Sequence, residues 1–162
     1  MTDDFVGLRK ALKEKRMKEV PLGAYVIRIT AVRYYHTCKL LKFSFEIAEG
    51  AFTGFYAMNP SPSSTTIDKP NVLTVSYKDP TQRFLKNFNE AIEESNPDLP
   101  DDWNPSDLKG TVLGVVLQRT AYNRYGDTRN SAGYYTSIQN IRSGKFYEFS
   151  FHDVKPYRRE VI

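Results

Sequence analysis

Two short stretches of the chain set flat rings beside cations. They are Arg33-Tyr34-Tyr35-His36, and Tyr122-Asn123-Arg124-Tyr125 followed by Arg129 and Tyr134-Tyr135. A nucleobase can stack on such a ring while a neighbouring guanidinium meets phosphate, a combination that grips single strands without reading their sequence. Each stacked base is worth about 1 to 3 kcal/mol, so three or four rings would supply affinity on the order of micromolar or better. Arg28 and Lys42, at outward positions of predicted strands, and Tyr56 complete the candidate set. The competing expectation is that Tyr and Phe are simply good strand residues, with about half of these rings packed on neighbours. Tyr25 and Phe55 are the first of those expected in the core.

Composition fits this surface chemistry. Aromatic residues make up 14% of the 162 residues, with 11 Tyr, 10 Phe and 1 Trp, and Tyr suits half-wet surfaces because it joins an apolar ring to a polar tip. The net charge is only +4, which permits an anionic partner without requiring one. Its distribution is uneven. Between Phe84 and Leu108, Glu90, Glu93, Glu94, Asp98, Asp101, Asp102 and Asp107 face a single base, Lys86, whereas bases outnumber acids from Lys109 to Ile162. Two faces of opposite sign are expected.

Catalytic chemistry finds little footing. His36 and Cys38 are close together, but no further ligands follow at metal-binding spacing, and His152 is remote. Gly126 and Gly133 lack the Gly-Lys-Ser/Thr ending of a phosphate-cradling loop. Glu46 with Glu49, or Asp101 with Asp102, could hold magnesium in a nuclease, but adjacent acids at turns are usually solvated. No enzymatic activity, no cofactor and no metal are expected. The single cysteine excludes an internal disulfide, no apolar run approaches the roughly 18 residues of a membrane span, and the charged N-terminus lacks a signal-peptide core. A cytoplasmic location follows as an expectation.

The elements that would position these residues can be read from periodicity. Residues 1–21 form a basic amphipathic arm with Phe5, Leu8 and Leu12 on one helical face, which either packs on the domain or touches nucleic acid. Alternation predicts strands over Tyr25–Tyr34 and Leu41–Ile47, and Glu49-Gly50 then turns into a third strand over Phe52–Ala57, with Gly54 as a bulge. A Pro/Ser-rich loop spans 59–71, and Val72–Tyr77 reads as a short strand. Asp79-Pro80-Thr81-Gln82 has the signature of a capped helix start, opening a helix over 80–95 whose face is Phe84, Leu85, Phe88, Ala91 and Ile92. An acidic connector follows, in which Asn104-Pro105 caps one turn and Trp103 anchors by burying its ring. Strands over Thr111–Tyr122 and Tyr134–Arg142, joined by a polar loop over 123–133, complete the pattern.

Three strands, a helix and two strands is the order of a five-stranded OB-type barrel, here over residues 22–146 with a C-terminal extension over 147–162. In that barrel the loop after the first strand and the loop between the last two strands flank one groove, bringing the two aromatic-basic stretches together.

The chain also resembles the small OB-fold single-stranded-DNA-binding proteins of phage and prophage replication modules. The likeness rests on Gly23-Ala24-Tyr25-Val26-Ile27-Arg28-Ile29, on Phe45-Glu46-Ile47-Ala48-Glu49-Gly50-Ala51-Phe52-Thr53-Gly54-Phe55-Tyr56, on Phe88 with Ala91-Ile92-Glu93-Glu94-Ser95-Asn96, and on Leu108-Lys109-Gly110. It implies single-stranded DNA as partner, binding and protection in phage replication or recombination, and action in the bacterial host cytoplasm. The chain departs from many such proteins at its end, where Lys155-Pro156-Tyr157-Arg158-Arg159 stands in place of an acidic partner-recruiting tail. The alternative function is a protein-interaction module that docks a recombinase, helicase or nuclease. Oligomeric state stays open, a homodimer among the alternatives.

Overall fold

The computed structural model describes residues 19–59, 70–121, 124–125, 128–150 and 152–155. The predicted N-terminal helix and most of the Pro/Ser-rich loop lie outside them. Five strands, β1 (Ala24–Tyr35), β2 (Leu40–Ile47), β3 (Val72–Ser76), β4 (Val112–Ala121) and β5 (Thr128–Thr136), form one antiparallel sheet in the order β3-β2-β1-β4-β5. The protein is therefore mainly β. The sheet is open: β3 and β5 are its two edges and share no ladder, so the closed barrel expected from the sequence is not formed by strand pairing.

The long β1 is the hinge of this arrangement. From Ile27 to Tyr35 it pairs with β2, and from Ala24 to Arg28 with β4. A register shift between Ile29 and Ala31 inserts one extra residue. Such a bulge moves every later side chain to the opposite face. Ile27 and Ile29 point into the core before it, Val32 and Tyr34 after it, which leaves Arg28, Arg33 and Tyr35 outside. On β2 the alternation is unbroken: Leu41, Phe43, Phe45 and Ile47 are buried, with Lys42, Ser44 and Glu46 between them.

The inner face is covered by α2, the helix Arg83–Ser95, whose Leu85, Phe88, Ala91 and Ile92 are buried. Phe88 stacks on Phe43 at 5.7 Å and meets Tyr135 edge-on at 5.0 Å. Asn96, just past the helix end, locks it to the sheet by accepting from the Val112 amide at 3.0 Å and donating to the Val112 carbonyl at 2.6 Å. Glu90, Glu93 and Glu94 stay exposed, so the acidic flank lies on the side of the sheet away from Arg33 and Tyr35.

Four sequence expectations are corrected. The segment Phe52–Ala57 is not a strand: Ala51–Gly54 turns and α1 (Phe55–Met58) follows. The cause is Glu46, whose carboxylate accepts from the amides of Ile47, Tyr56 and Ala57 at 2.8 to 3.0 Å and so satisfies the otherwise orphaned donors of that turn. Gly54 is not a bulge but the residue before α1, at φ 75°, a left-handed conformation that favours glycine. Helix α2 starts at Arg83 because Asp79 closes a local turn instead, accepting from the amide and hydroxyl of Thr81 at 2.9 and 2.6 Å. The last strand spans Thr128–Thr136, and the stretch read as its second half is helix α3 (Ile138–Arg142), capped by Ser137, which accepts from the Asn140 amide at 3.2 Å.

The acidic connector forms the expected single 3₁₀ turn, Pro105–Leu108, with a reciprocal box between Asn104 and Asp107. Trp103 is half-buried against the core and donates its indole N–H to Glu93 at 3.2 Å. Phe55 is buried, and Tyr25 is half-buried with its hydroxyl donating to the Pro21 carbonyl at 2.6 Å. Among the described residues, no helix is long and apolar enough to cross a membrane.

Candidate nucleic-acid interface

Arg33 on β1 stands opposite Lys42 on β2, and both reach Tyr35. The Arg33 guanidinium carbon lies 5.2 Å and the Lys42 ammonium 5.6 Å from the centre of the Tyr35 ring. Both distances fall within the range of cation–π attraction. One ring and two cations thus form a single unit on the outer face, at the end of the sheet where β1 turns into β2. Arg28, further down the same strand, is also exposed and makes a long contact, 3.4 Å, to the Gly110 carbonyl.

The adjacent residue behaves differently. Tyr34 points inward, packs against the core and meets His36 and Tyr77 edge-on at 4.9 and 6.1 Å. Tyr77 in turn donates its hydroxyl to Asn89 on α2 at 3.0 Å, so this aromatic group fastens the top of the sheet to the helix. Tyr34 is structural, and the expectation that it lines the groove is corrected.

Two further corrections concern rings. Tyr56 is buried on α1, edge-on to Phe45 at 5.5 Å. Tyr135 is buried at the centre of the core between Phe43, Phe84 and Phe88, and burial pushes its hydroxyl pKa well above the ordinary tyrosine value. Neither ring is open to a base. Tyr134 lies on the outer face as expected but is already stacked on Tyr147 at 4.7 Å.

In the connection between β4 and β5, Arg124 and Tyr125 are exposed, and the guanidinium carbon sits 5.3 Å from its neighbour's ring centre. Tyr122 lies outside the described residues. Arg129, at the root of the connection, donates to the Val72 carbonyl of β3 at 3.0 Å. That contact carries the root of the loop to the outer edge of the β2–β3 pair. Val72 pairs with Ser44, and Lys42 lies two residues along β2 towards Tyr35. Along the strand axis the rows of Val72 and Tyr35 are therefore about four residues, or about 13 Å, apart. Arg33, Tyr35 and Lys42 share one side of the sheet.

Two of the carboxylates with conceivable metal chemistry, Glu46 and Glu49, are engaged otherwise. Glu46 caps α1, while Glu49 forms a two-point pair with Arg142, whose Nε donates at 3.0 Å; that hydrogen bond holds the Glu49 carboxyl below its ordinary pKa. Among the described residues, no three His, Cys, Asp or Glu side chains gather where they could share a metal ion.

A feature the sequence reading missed is the C-terminal segment over 145–155. Its Phe149 lies directly over Gly133, where a Cβ would come within 2.1 Å of the ring. Further on, Lys155 forms a parallel bridge to Thr120, donating to the Arg119 carbonyl at 3.0 Å and accepting from the Ala121 amide at 3.2 Å. The only sequence signal was Gly133 among β-formers, where a side-chain-free position often marks a close approach.

No protein-family model matches the chain, and no curated protein matches it.

Proposed function

We propose that the protein binds single-stranded DNA in a sequence-tolerant manner, stacking a base on Tyr35 while Arg33 and Lys42 meet the phosphate backbone. The observation that carries this reading is the Tyr35 ring with two cations, Arg33 and its cross-strand neighbour Lys42, within 5.6 Å of its centre on a face turned away from the acidic helix. The strand order, with the principal helix between β3 and β4, supports an OB-type barrel in which the Arg129–Val72 contact draws the open edges together. The sequence likeness to phage single-stranded-DNA-binding proteins supports strand protection during phage replication or recombination as the setting, in the cytoplasm of a bacterial host.

Stacking is sequence-tolerant because every base has a π-face, and phosphate contacts make affinity fall with salt. Fluorescence anisotropy with labelled oligo-dT and a matched duplex, each at two salt concentrations, tests the reading. Tighter, salt-weakened binding to the single strand supports it. Equal affinity for both, or none, overturns it.

A further inference from the structure

Tyr147 is one of the most exposed large side chains among the described residues, at 66% of its surface, yet it is held firmly. Its backbone is clamped by the hydroxyl of Tyr134, which accepts from the Tyr147 amide at 2.9 Å and donates to the Tyr147 carbonyl at 3.0 Å. The two rings lie nearly parallel, 28° apart with centres 4.7 Å from one another. Phe149 closes the group edge-on, 6.3 Å from Tyr134 and 5.6 Å from Tyr147, seated on Gly133. One face of the Tyr147 ring is thereby fixed against the protein and the other is left in solvent.

We infer that Tyr147 is a second base-stacking platform, built on the outer face of β4 and β5 by the C-terminal segment; this rests on the single-stranded-DNA reading above. An exposed ring ordinarily costs conformational freedom when a ligand stacks on it. Here that freedom is already spent within the fold, because main-chain hydrogen bonds and a neighbouring ring fix its plane. Two cations of the same segment, Lys145 and Lys155, are exposed. The adjacent acid, Glu148, has a carboxylate oxygen 3.8 Å from where a Cβ on Gly23 would lie.

The opposite possibility is that Tyr147 sits where a base would stack on Tyr134 and must leave before DNA can bind. The bridge at Lys155 and the seating of Phe149 argue that the segment stays. The two ideas predict opposite signs. Oligo-dT titrations of Tyr147→Ala, Tyr147→Phe and Tyr35→Ala, with the unfolding midpoint of each, decide between them. Loss of the platform weakens binding by about five- to tenfold in Tyr147→Ala, while Tyr147→Phe, which keeps the ring, stays within about twofold of the parent. Unchanged affinity in Tyr147→Ala beside a weakened Tyr35→Ala overturns this inference alone. Tighter binding by Tyr147→Ala also overturns it, in favour of a displaced strap. A parent protein that binds no oligo-dT overturns the underlying function as well.

Discussion

The guanidinium of Arg129 on β5 donates to the main-chain carbonyl of Val72 on β3, linking at 3.0 Å two edges that share no ladder. A hydrogen bond from a charged donor contributes about 1.5 to 3 kcal/mol when its geometry is good and the site is part-buried. Arg129→Ala is expected to lower the unfolding free energy measured in urea by an amount in that range, with a correspondingly lower midpoint, while leaving the far-ultraviolet circular dichroism spectrum unchanged. An unaltered midpoint would show that the edges do not depend on this contact.

Glu19 ties the chain just before β1 to the far edge of the sheet. It accepts from the Asn130 amide at 2.9 Å and pairs with Arg119 at 3.1 Å. Burial raises its pKa above the ordinary 4.5, although Asn130, Arg119 and Arg129 pull the other way. The folded protein therefore keeps this proton to higher pH than the unfolded chain does. The contribution of Glu19 to stability is complete below 4.5 and is lost as pH rises through the folded value. Unfolding midpoints of the parent and Glu19→Gln, compared across that window, should shift in favour of the variant as pH rises. A gap that is constant, or that moves the other way, contradicts the assignment.

Gly114 and Gly133 are both crowded, but by different neighbours. A Cβ at 114 would lie 2.8 Å from the Thr136 carbonyl oxygen and 2.9 Å from that of Ser137, with Ile141 at 2.5 Å. Backbone cannot swing aside, so Gly114→Ala should cost about 1 to 3 kcal/mol in chemical denaturation. At 133 the obstacle is only the Phe149 ring, which can move. Gly133→Ala should leave the midpoint closer to that of the parent and show its effect as faster proteolysis of the C-terminal segment.

Arg33 and Lys42 are assigned to phosphate, which gives them a thermodynamic signature. For single strands, each phosphate contact contributes about 0.7 to the slope of log affinity against log salt. Arg33→Ala and Lys42→Ala should each flatten the slope by about that amount, and weaken oligo-dT and mixed-sequence oligonucleotides alike. A variant with weaker affinity and an unchanged slope would assign that cation to holding Tyr35 rather than to phosphate.

Much of the sheet was legible because its signal is local. The alternation of Phe43 and Phe45 with Lys42 and Ser44 fixes β2 whatever lies around it, and the spacing of Leu85, Phe88 and Ile92 fixes the inner face of α2. The errors arose where a distant group decided the outcome. Nothing local says that Glu46 will cap the turn before Tyr56, and in sequence the apolar run that follows has the length and composition of a strand. The bulge after Ile29 exchanged the roles of Tyr34 and Tyr35, which no count of alternating residues from Tyr25 could anticipate. Helix α3 was readable: Ile138 and Ile141 stand three apart, and Ser137 precedes them in the capping position. Of the candidate rings, Tyr56 and Tyr135 were indistinguishable in sequence from Tyr35, because burial depends on which elements cover them.

The central claim is that Tyr35, and not the ring beside it, receives a base. Its most direct test is the oligo-dT dissociation constant of Tyr35→Ala and of Tyr34→Ala, with the unfolding midpoint measured on the same samples. Tyr35→Ala should bind about tenfold more weakly, within the range for one stacked base, and unfold at the midpoint of the parent. Tyr34→Ala should unfold earlier and bind normally wherever it is folded. Undiminished binding by Tyr35→Ala in a protein that does bind oligo-dT would contradict the account.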